Sequence, residues 1–381
     1  MKSAAFYGKR FQLGILGGGQ LGRMMLPAAN YLDVDVHFLD PTADAPCSTL
    51  STGFQIGSFN NYDQVMAFGK NMDLVSIEIE NVNVDALEDL EKLGVKVCPS
   101  PTSLRIIKDK GIQKQFYADN RIPTSNFQLT KAGEGVSEAQ LPVVQKLRTG
   151  GYDGKGVKVL TSAADLADAF QEACVLEDLV TIAKELSVIV ARNQNGDVKV
   201  FPVVELVFDP KANLVDYLLS PANIDEATAQ QAKDLAMKVV TSMDYVGLLA
   251  VELFLQKDGQ VLVNEIAPRT HNSGHQSIEG NYTSQFEQHL RAILNLPLGN
   301  PDARGVSTMV NLVGEEGFTG PVVYEGMDEL LGMDKVYPHL YGKTHTKPYR
   351  KMGHVTALAN SSEEAIAKAM EIKKTVRVIA D

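Results

Sequence analysis

The chain has no tryptophan and only three cysteines, Cys47, Cys98 and Cys174, among 381 residues. Those cysteines lie far apart, which excludes a readable disulfide framework and any paired-thiol metal spacing, and fits a reducing, cytoplasmic setting. Basic residues are outnumbered, 36 Lys and Arg against 47 Asp and Glu, for a formal charge of -11. That deficit opposes adhesion to a polyphosphate backbone or an anionic membrane, so nucleic acid is not an expected partner, although a local basic cluster could still hold a small phosphorylated molecule. No apolar run approaches the roughly 20 residues that span a bilayer, and Met1 to Arg10 is mixed and polar rather than leader-like. What is present is a 44% hydrophobic chain, long enough for two or three domains with separate cores.

Apolar periodicity suggests where those domains lie. Phe11 to Leu16 reads as a strand running into Gly17-Gly18-Gly19-Gln20-Leu21-Gly22, followed by helix-compatible sequence from Arg23 and a strand over Val34 to Leu39. Leu74 to Ile79, Val84 to Leu93 and Val95 to Cys98 read as strand, helix and strand, closing at Pro99-Ser100-Pro101. A helix is expected over Leu104 to Ala118, strands over Pro142 to Leu147 and Val157 to Leu160, and a helix over Ala163 to Ala173. A strand pair turning at Asn195-Gly196 and a long helix from Glu226 to Met243 follow. From about Gly305 short strands alternate with loops, and Ser361 with Glu364 has capping-box spacing before a last helix. The expected division is 1–104, 105–304 and 305–381, α/β followed by α+β, with a small β-rich third domain.

Gly17-x-Gly19-x-x-Gly22 sits between strand and helix, with Asp40 about twenty residues on, as in dinucleotide-binding folds. Taken alone it suggests an NAD-dependent oxidoreductase. Physically it says only that amides at a helix N-terminus can approach an anion, or that helix and strand pack closely.

The segment Leu248 to Ile266 reads as a hairpin with a two-residue Asp258-Gly259 turn, and that register sets Glu252 opposite Glu265. Opposed carboxylates repel unless a cation or shared proton joins them. Hard oxygen ligands of this kind suit Mg²⁺, with Mn²⁺ as an alternate ion, and Asn264 would supply a third oxygen if the strand bulges. Upstream, Lys146 ends a strand before Gly150-Gly151-Tyr152-Asp153-Gly154-Lys155-Gly156, where glycines free the backbone to cover a ligand and lysines supply charge for phosphates. His271 and His275 are four apart, but Gly274 argues against the helix that a zinc pair needs, which leaves anion binding. His37 and His345 read as structural or surface residues, and Arg350-Lys351 alone would be a solvated basic turn.

These pieces resemble the ATP-grasp superfamily, whose members form acyl phosphates from ATP and deliver them to an amine. Within it, four strings resemble the N5-carboxyaminoimidazole ribonucleotide synthetase family: Gly14-Ile-Leu-Gly-Gly-Gly-Gln-Leu-Gly-Arg23, Gly150-Gly-Tyr-Asp-Gly-Lys-Gly156, Ala267-Pro-Arg-Thr-His-Asn-Ser-Gly-His275 and Arg350-Lys-Met-Gly-His354. The resemblance implies an N-terminal Rossmann-like pre-ATP-grasp domain, an ATP-grasp domain with a mobile lid over about 122–182, and a C-terminal domain. For ATP it implies Arg105, Lys146, Gly151, Tyr152, Asp153, Gly154, Lys155, Gly156, Val157, Glu177, Asp178, Leu179, Val180, Glu185, Phe208, Asn264 and Glu265. Glu252 and Glu265 would hold magnesium. Arg269 and His271 would orient bicarbonate, with Tyr152, Asp153 and Lys351 also serving catalysis. Gly19, Gln20, Leu21, Glu78, Glu80, Asn272, Ser273, Lys343, Arg350 and Lys351 would meet aminoimidazole ribonucleotide. Phe208 stands where many relatives place a histidine, and Val157 where glutamine closes the loop. The resemblance also implies a homodimer. Rival readings are another ATP-grasp ligase using formate or biotin, and a silent nucleotide-binding protein.

Overall fold

A computed structural model of the chain describes residues 10–151, 156–208 and 215–381. The N-terminal part runs β1 (Phe11–Leu16), α1 (Gln20–Tyr31), β2 (Val34–Asp40), β3 (Gly53–Ile56), α2 (Tyr62–Gly69), β4 (Leu74–Ile77), α3 (Val84–Lys92) and β5 (Lys96–Val97). Its strands form a parallel sheet in the order β3-β2-β1-β4-β5. The winding reverses between β1 and β4, so the carboxyl ends of those two strands open a crevice. Leu13, Ile15, Phe38 and Leu74 are buried under α1, and Leu16, Val75 and Ile77 under α2 and α3. Strand β3 and helix α2 complete a unit of which the sequence patterns reveal only the rest.

The helix expected over Leu104 to Ala118 is broken. Asp109 adopts extended backbone (φ -121°, ψ 108°) between α4 (Pro101–Lys108) and α5 (Lys110–Asp119), and its side chain caps α5 by accepting from the Gly111 and Ile112 amides. A four-stranded sheet follows, β6 (Phe127–Thr130), β7 (Val143–Leu147), β8 (Val157–Leu160) and β9 (Cys174–Asp178), in the order β6-β9-β7-β8. The helix expected over Ala163 to Ala173 shrinks to a 3-10 turn at Ala163–Asp168. Gln145 ends it by donating to the Phe170 carbonyl (3.0 Å) and accepting from its amide (2.8 Å), which draws the chain back to the sheet.

The central elements are β10 (Ile182–Arg192), β11 (Val198–Val200), β12 (Val204–Phe208), β13 (Val215–Ser220), α6 (Glu226–Ser242), β14 (Gly247–Gln256), β15 (Val261–Ala267), α7 (Ser277–Gly280) and α8 (Gln285–Ile293). The C-terminal ones are β16 (Val306–Val313), β17 (Gly320–Glu325), α9 (Met327–Leu331), β18 (Val336–Leu340), β19 (His345–Thr346), β20 (Lys351–Ala359), α10 (Ser362–Thr375) and β21 (Arg377–Ala380). One large sheet runs β15-β14-β10-β12-β13-β16-β20-β18, so C-terminal strands extend it across the division expected at 304/305.

Strand alternation sorts this sheet into two faces. Leu186, Val188 and Val190 on β10, with Leu249, Val251 and Leu253 on β14, are buried against Ala232, Leu235, Ala236 and Val239 of α6, which recur at helical spacing. The opposite face of the same strands carries Glu185, Ser187 and Glu252. Burial of the first face therefore fixes the direction of the second. Among the described residues no helix is long and apolar enough to cross a membrane.

Gly22, inside the first turn of α1, tests how tightly that helix is seated. A Cβ there would lie 2.5 Å from Phe38 Cε1 and 3.0 Å from Cys47 Sγ. Alanine gains about 1 kcal/mol in helix propensity, but overpacking costs about 1–3 kcal/mol. Gly22→Ala should therefore be destabilised or at best neutral, measured by urea denaturation, whereas an unobstructed glycine would give a stabilised variant.

Candidate active site

The hairpin β14–β15 reaches the expected Glu252–Glu265 pairing by an unexpected route. Its turn has three residues rather than two: the Gly259 amide donates to the Gln256 carbonyl (3.0 Å), the Gln256 amide donates to the Gln260 carbonyl (2.9 Å), and Gly259 takes φ +88°. That shifts the register by one, so Phe254 opposes Leu262 and Leu253 opposes Val263. A bulge at Asn264 inserts one residue and shifts it back, setting Glu252 opposite Glu265. The two departures cancel.

Lysines surround this pair. Lys110, at the start of α5, forms an ion pair with Glu265, and Lys146 from β7 donates to Asn264 Oδ1 (2.8 Å) and lies 3.0 Å from Glu177 Oε1. Lys114, one turn beyond Lys110, lies 3.1 Å from Glu177 Oε2 and donates to the Thr124 and Ser125 hydroxyls. Burial alone would push Glu265 upward in pKa, but Lys110, Lys146 and Lys114 hold it below the usual carboxylate range. Glu252 is pushed up by burial and by the neighbouring charges of Glu265 and Glu185. Burial and the nearby lysines bring Lys114 down to about 8. Glu265 keeps 40% of its side chain exposed and Glu252 26%, so both face an open cleft. Sequence reasoning missed Lys110 and Lys114; their four-residue spacing directly after the Asp109 cap was the available signal.

Of the residues expected at ATP, Lys146, Glu177, Glu185, Asn264 and Glu265 converge here. Asp178, Leu179 and Val180 follow Glu177 out of β9, with Asp178 accepting from Asn126 (2.8 Å) and Leu179 45% exposed. Gly151 and Gly156 flank the glycine loop, and Val157 pairs with Lys146 at the start of β8. Tyr152, Asp153, Gly154 and Lys155 lie outside the described residues. Phe208 packs beside Val204, Leu206, Leu218 and Met309. Arg105 is held on the surface by Asp85 and Glu88, at 2.7 Å each, and its ion pairs join it to α3 rather than to the lysine cluster.

A second cluster forms where all three parts of the chain meet. Arg269 Nε lies 2.8 Å from Glu80 Oε1. His271 Nδ1 lies 2.9 Å from Ser273 Oγ, itself 2.7 Å from Ser187 Oγ, while Nε2 is 3.4 Å from Glu252. Burial, with Arg269 and Lys351 nearby, pushes His271 down to about 3, so the ring is neutral at ordinary pH. Gln285 clamps the His271 main chain from both sides, accepting from its amide (2.9 Å) and donating to its carbonyl (2.8 Å). Asn272 exchanges hydrogen bonds with Asn311 of β16. Lys343 donates to the Lys351 carbonyl (2.7 Å), and Arg350 donates to the His345 carbonyl (2.6 Å). His275 is buried, held by Gln285 and packed among Phe286, Tyr341 and His354, so it forms no metal pair with His271.

The glycine motif binds the chain to itself. The Gly18 amide donates to Asp40 (2.8 Å), and the Gly19 and Gly22 amides both donate to Glu78. Glu78 thus fills the N-terminal end of α1, where a dinucleotide pyrophosphate would need those same amides. Gln20 and Leu21 begin α1 beside it.

As to metal, no three His, Cys, Asp or Glu side chains converge among the described residues. Glu252, Glu265 and the Asn264 oxygen nonetheless match a hard divalent cation that takes its remaining ligands from phosphate and water.

Comparison with known proteins agrees along the chain. Family models match for a ribonucleotide synthetase preATP-grasp domain at residues 11–108, an ATP-grasp domain at 115–286 and a phosphoribosylaminoimidazole carboxylase C-terminal domain at 307–368. N5-carboxyaminoimidazole ribonucleotide synthase of Bacillus subtilis is 36% identical over 93% of both chains. A chloroplastic phosphoribosylaminoimidazole carboxylase of Vigna aconitifolia is 39% identical, and the alignment spans 64% of its length. The crystal structure of N5-carboxyaminoimidazole ribonucleotide synthetase from Thermotoga maritima superposes with a TM-score of 0.89 at 40% identity, covering 97% of this chain and 100% of that one. The Aspergillus clavatus synthase, crystallised with ADP and 5-aminoimidazole ribonucleotide, gives 0.87 at 32% identity, covering 96% and 98%.

The charge arrangement makes opposite demands on its two signs. In metal-free protein Glu252→Gln relieves the carboxylate repulsion and should melt at or above the wild-type temperature, by roughly 0.2–1 kcal/mol. Lys110→Met strands Glu265 and should melt lower. Differential scanning fluorimetry with a chelator distinguishes them, and a stabilised Lys110→Met would contradict the pairing.

Proposed function

The chain belongs to the N5-carboxyaminoimidazole ribonucleotide synthase family of ATP-grasp ligases, and from that membership we propose that it carboxylates 5-aminoimidazole ribonucleotide with bicarbonate while cleaving ATP to ADP and phosphate, a step of purine biosynthesis. The observation that carries the reading is the meeting of a carboxylate–lysine cleft on β14–β15 with a basic, histidine-lined cluster at the three-part junction.

In the proposed mechanism the γ-phosphoryl group of ATP passes to a bicarbonate oxygen, giving carboxyphosphate and ADP. Lys146 and Lys110 exchange their present carboxylate partners for phosphate oxygens. Glu252 and Glu265, with Asn264, would hold Mg²⁺, which supplies charge neutralisation between the phosphates. Arg269 offers a guanidinium to bicarbonate oxygens beside the neutral His271 ring. The ribonucleotide amine then attacks the carboxyl carbon, or the CO₂ released from it; phosphate leaves and one proton is lost. Glu78 and Glu80 would accept hydrogen bonds from the aminoimidazole, and Lys343, Arg350 and Lys351 would face its phosphate. Gly151 and Gly156 would stand beside the nucleotide phosphates. The Glu177–Val180 segment, Glu185 and Phe208 would bound the nucleoside. A cytoplasmic homodimer completes the reading, testable by sedimentation.

Phosphate release from MgATP in bicarbonate buffer should be strongly stimulated by aminoimidazole ribonucleotide and not by formate or biotin. Glu265→Ala should lower that turnover about 100-fold or more. Unstimulated release, or full activity in Glu265→Ala, would overturn the substrate or the metal assignment respectively.

Burial and the adjacent Arg350 push the Lys343 ammonium down to about 8. Below that pH the side chain is charged and ready for a phosphate; above it, binding must take up a proton. The KM for the ribonucleotide should therefore rise above about pH 8, by up to about tenfold per unit. Lys343→Arg, which stays charged, should flatten that rise. An identical pH profile in the variant would exclude Lys343 from phosphate binding.

A further inference from the structure

Arg148 and Asp109 take no part in the reaction as proposed, yet they join the two elements that carry Lys146 and Lys110. Asp109 ends α4 and caps α5, and Lys110 is the first residue of α5. Its Oδ1 accepts from the Gly111 amide (2.8 Å), the Ile112 amide (3.1 Å) and Arg148 Nε (2.9 Å), while Oδ2 accepts from Arg148 Nη2 (2.7 Å). The guanidinium fork thus lies across the first turn of the helix. Gly111 leaves room for it, since a Cβ there would stand 2.6 Å from Arg148 Nε. The main chain repeats the link: the Lys110 amide donates to the Arg148 carbonyl (2.9 Å), and the Arg148 amide donates to the Ala173 carbonyl (3.2 Å).

Arg148 therefore ties the first turn of α5, on the body of the domain, to the end of β7 in the four-stranded sheet. Lys146 stands two residues before it and Gly150 two residues after. Other side-chain ties in this region, Lys146 on Asn264 and Glu177 and Lys114 on Glu177 and Ser125, run through Glu177 or Asn264, which the proposed nucleotide site draws on. Apolar packing does not replace the fork, because Asp109, Leu147, Arg148, Thr149, Glu172 and Ala173 line a hollow of about 540 Å³. Two parallel charge-assisted hydrogen bonds fix angle as well as distance, which a lysine at the same position cannot do.

We propose that Asp109 and Arg148 are positioning residues that set the separation between Lys110 and Lys146, and so the grip on the nucleotide phosphates. The proposal rests on the reading that those two lysines bind ATP. Misplacing a binding group by about 1 Å costs on the order of 100-fold, so a fork that holds both lysines in register has a large effect without touching substrate.

The test uses the full-length enzyme and its steady-state kinetics. Arg148→Lys and Arg148→Met should each raise the KM for ATP about 10- to 100-fold, leave the KM for the ribonucleotide within about twofold, and melt near the wild-type temperature. Asp109→Asn keeps the helix cap but loses the ion pair and should shift the same constant. The double variant Asp109→Asn/Arg148→Met should be no worse than the worse single, because one contact is lost once. An unchanged KM for ATP in Arg148→Lys, or effects of Asp109→Asn and Arg148→Met that multiply, would overturn the proposal. Lys146→Met separates the two levels: if it too leaves the KM for ATP unchanged, the nucleotide reading fails; if it raises the KM while the Arg148 variants do not, only the positioning role fails.

Discussion

The repulsion between Glu252 and Glu265 is the constraint from which the rest of the cleft follows. Two carboxylates set directly opposite each other on adjacent strands of one hairpin destabilise it by roughly 0.2–1 kcal/mol, as much as a favourable cross-strand pair contributes. Neither glutamate can leave, because alternation ties Glu252 to the buried face that seats α6. Cations must therefore come to them. Lys110 does so by pairing with Glu265 from the helix that Asp109 starts, while Lys146, from the small sheet, bonds the neighbouring Asn264 and helps hold the Glu265 pKa down. Through Glu265 and Asn264 the hairpin thereby holds α5 and the small sheet, with partners that a polyphosphate and a divalent ion could exchange as a set.

The junction of the three parts uses a different logic, in which polar groups are spent on each other. Glu78 takes the two amides at the head of α1, Asp40 takes a third, Glu80 meets Arg269, and Asn272 meets Asn311. This explains why the glycine motif misleads. Its glycines are needed for close approach, since a Cβ on Gly17 or Gly19 would run into the Glu78 side chain at 2.7 and 2.5 Å. The anion they approach is a carboxylate of the same chain, which no fingerprint spacing discloses.

What the sequence made legible follows the same divide. Features set by local periodicity and short spacing were readable: the βαβ opening, the hairpin and the opposed glutamates. The bulge that would bring the Asn264 oxygen toward the glutamates is present, and that oxygen accepts from Lys146. The turn was misjudged because Asp-Gly favours two-residue turns as a class, whereas Gly259 closes a three-residue loop. Features set by long-range partners were not readable. Nothing near Lys110 in the chain announces Glu265, 155 residues away, and nothing near His271 announces that Gln285 clamps its main chain. Arg105, which only the family resemblance suggests, has acidic partners Asp85 and Glu88 that sit in another element.

The placement of His271 completes the charge pattern. It stands between the glutamate pair and the cations Arg269 and Lys351, and a charged imidazole there would add a third positive group beside them while neutralising part of the ligand set on its other side. Burial among those cations keeps it neutral. The glutamate pair thus keeps its lysine partners and Arg269 keeps Glu80, with an uncharged ring between the two sets. A metal–phosphate group and an anionic acceptor have different requirements, and a neutral ring between the two sets of ion pairs lets each set exchange its partners without drawing on the other.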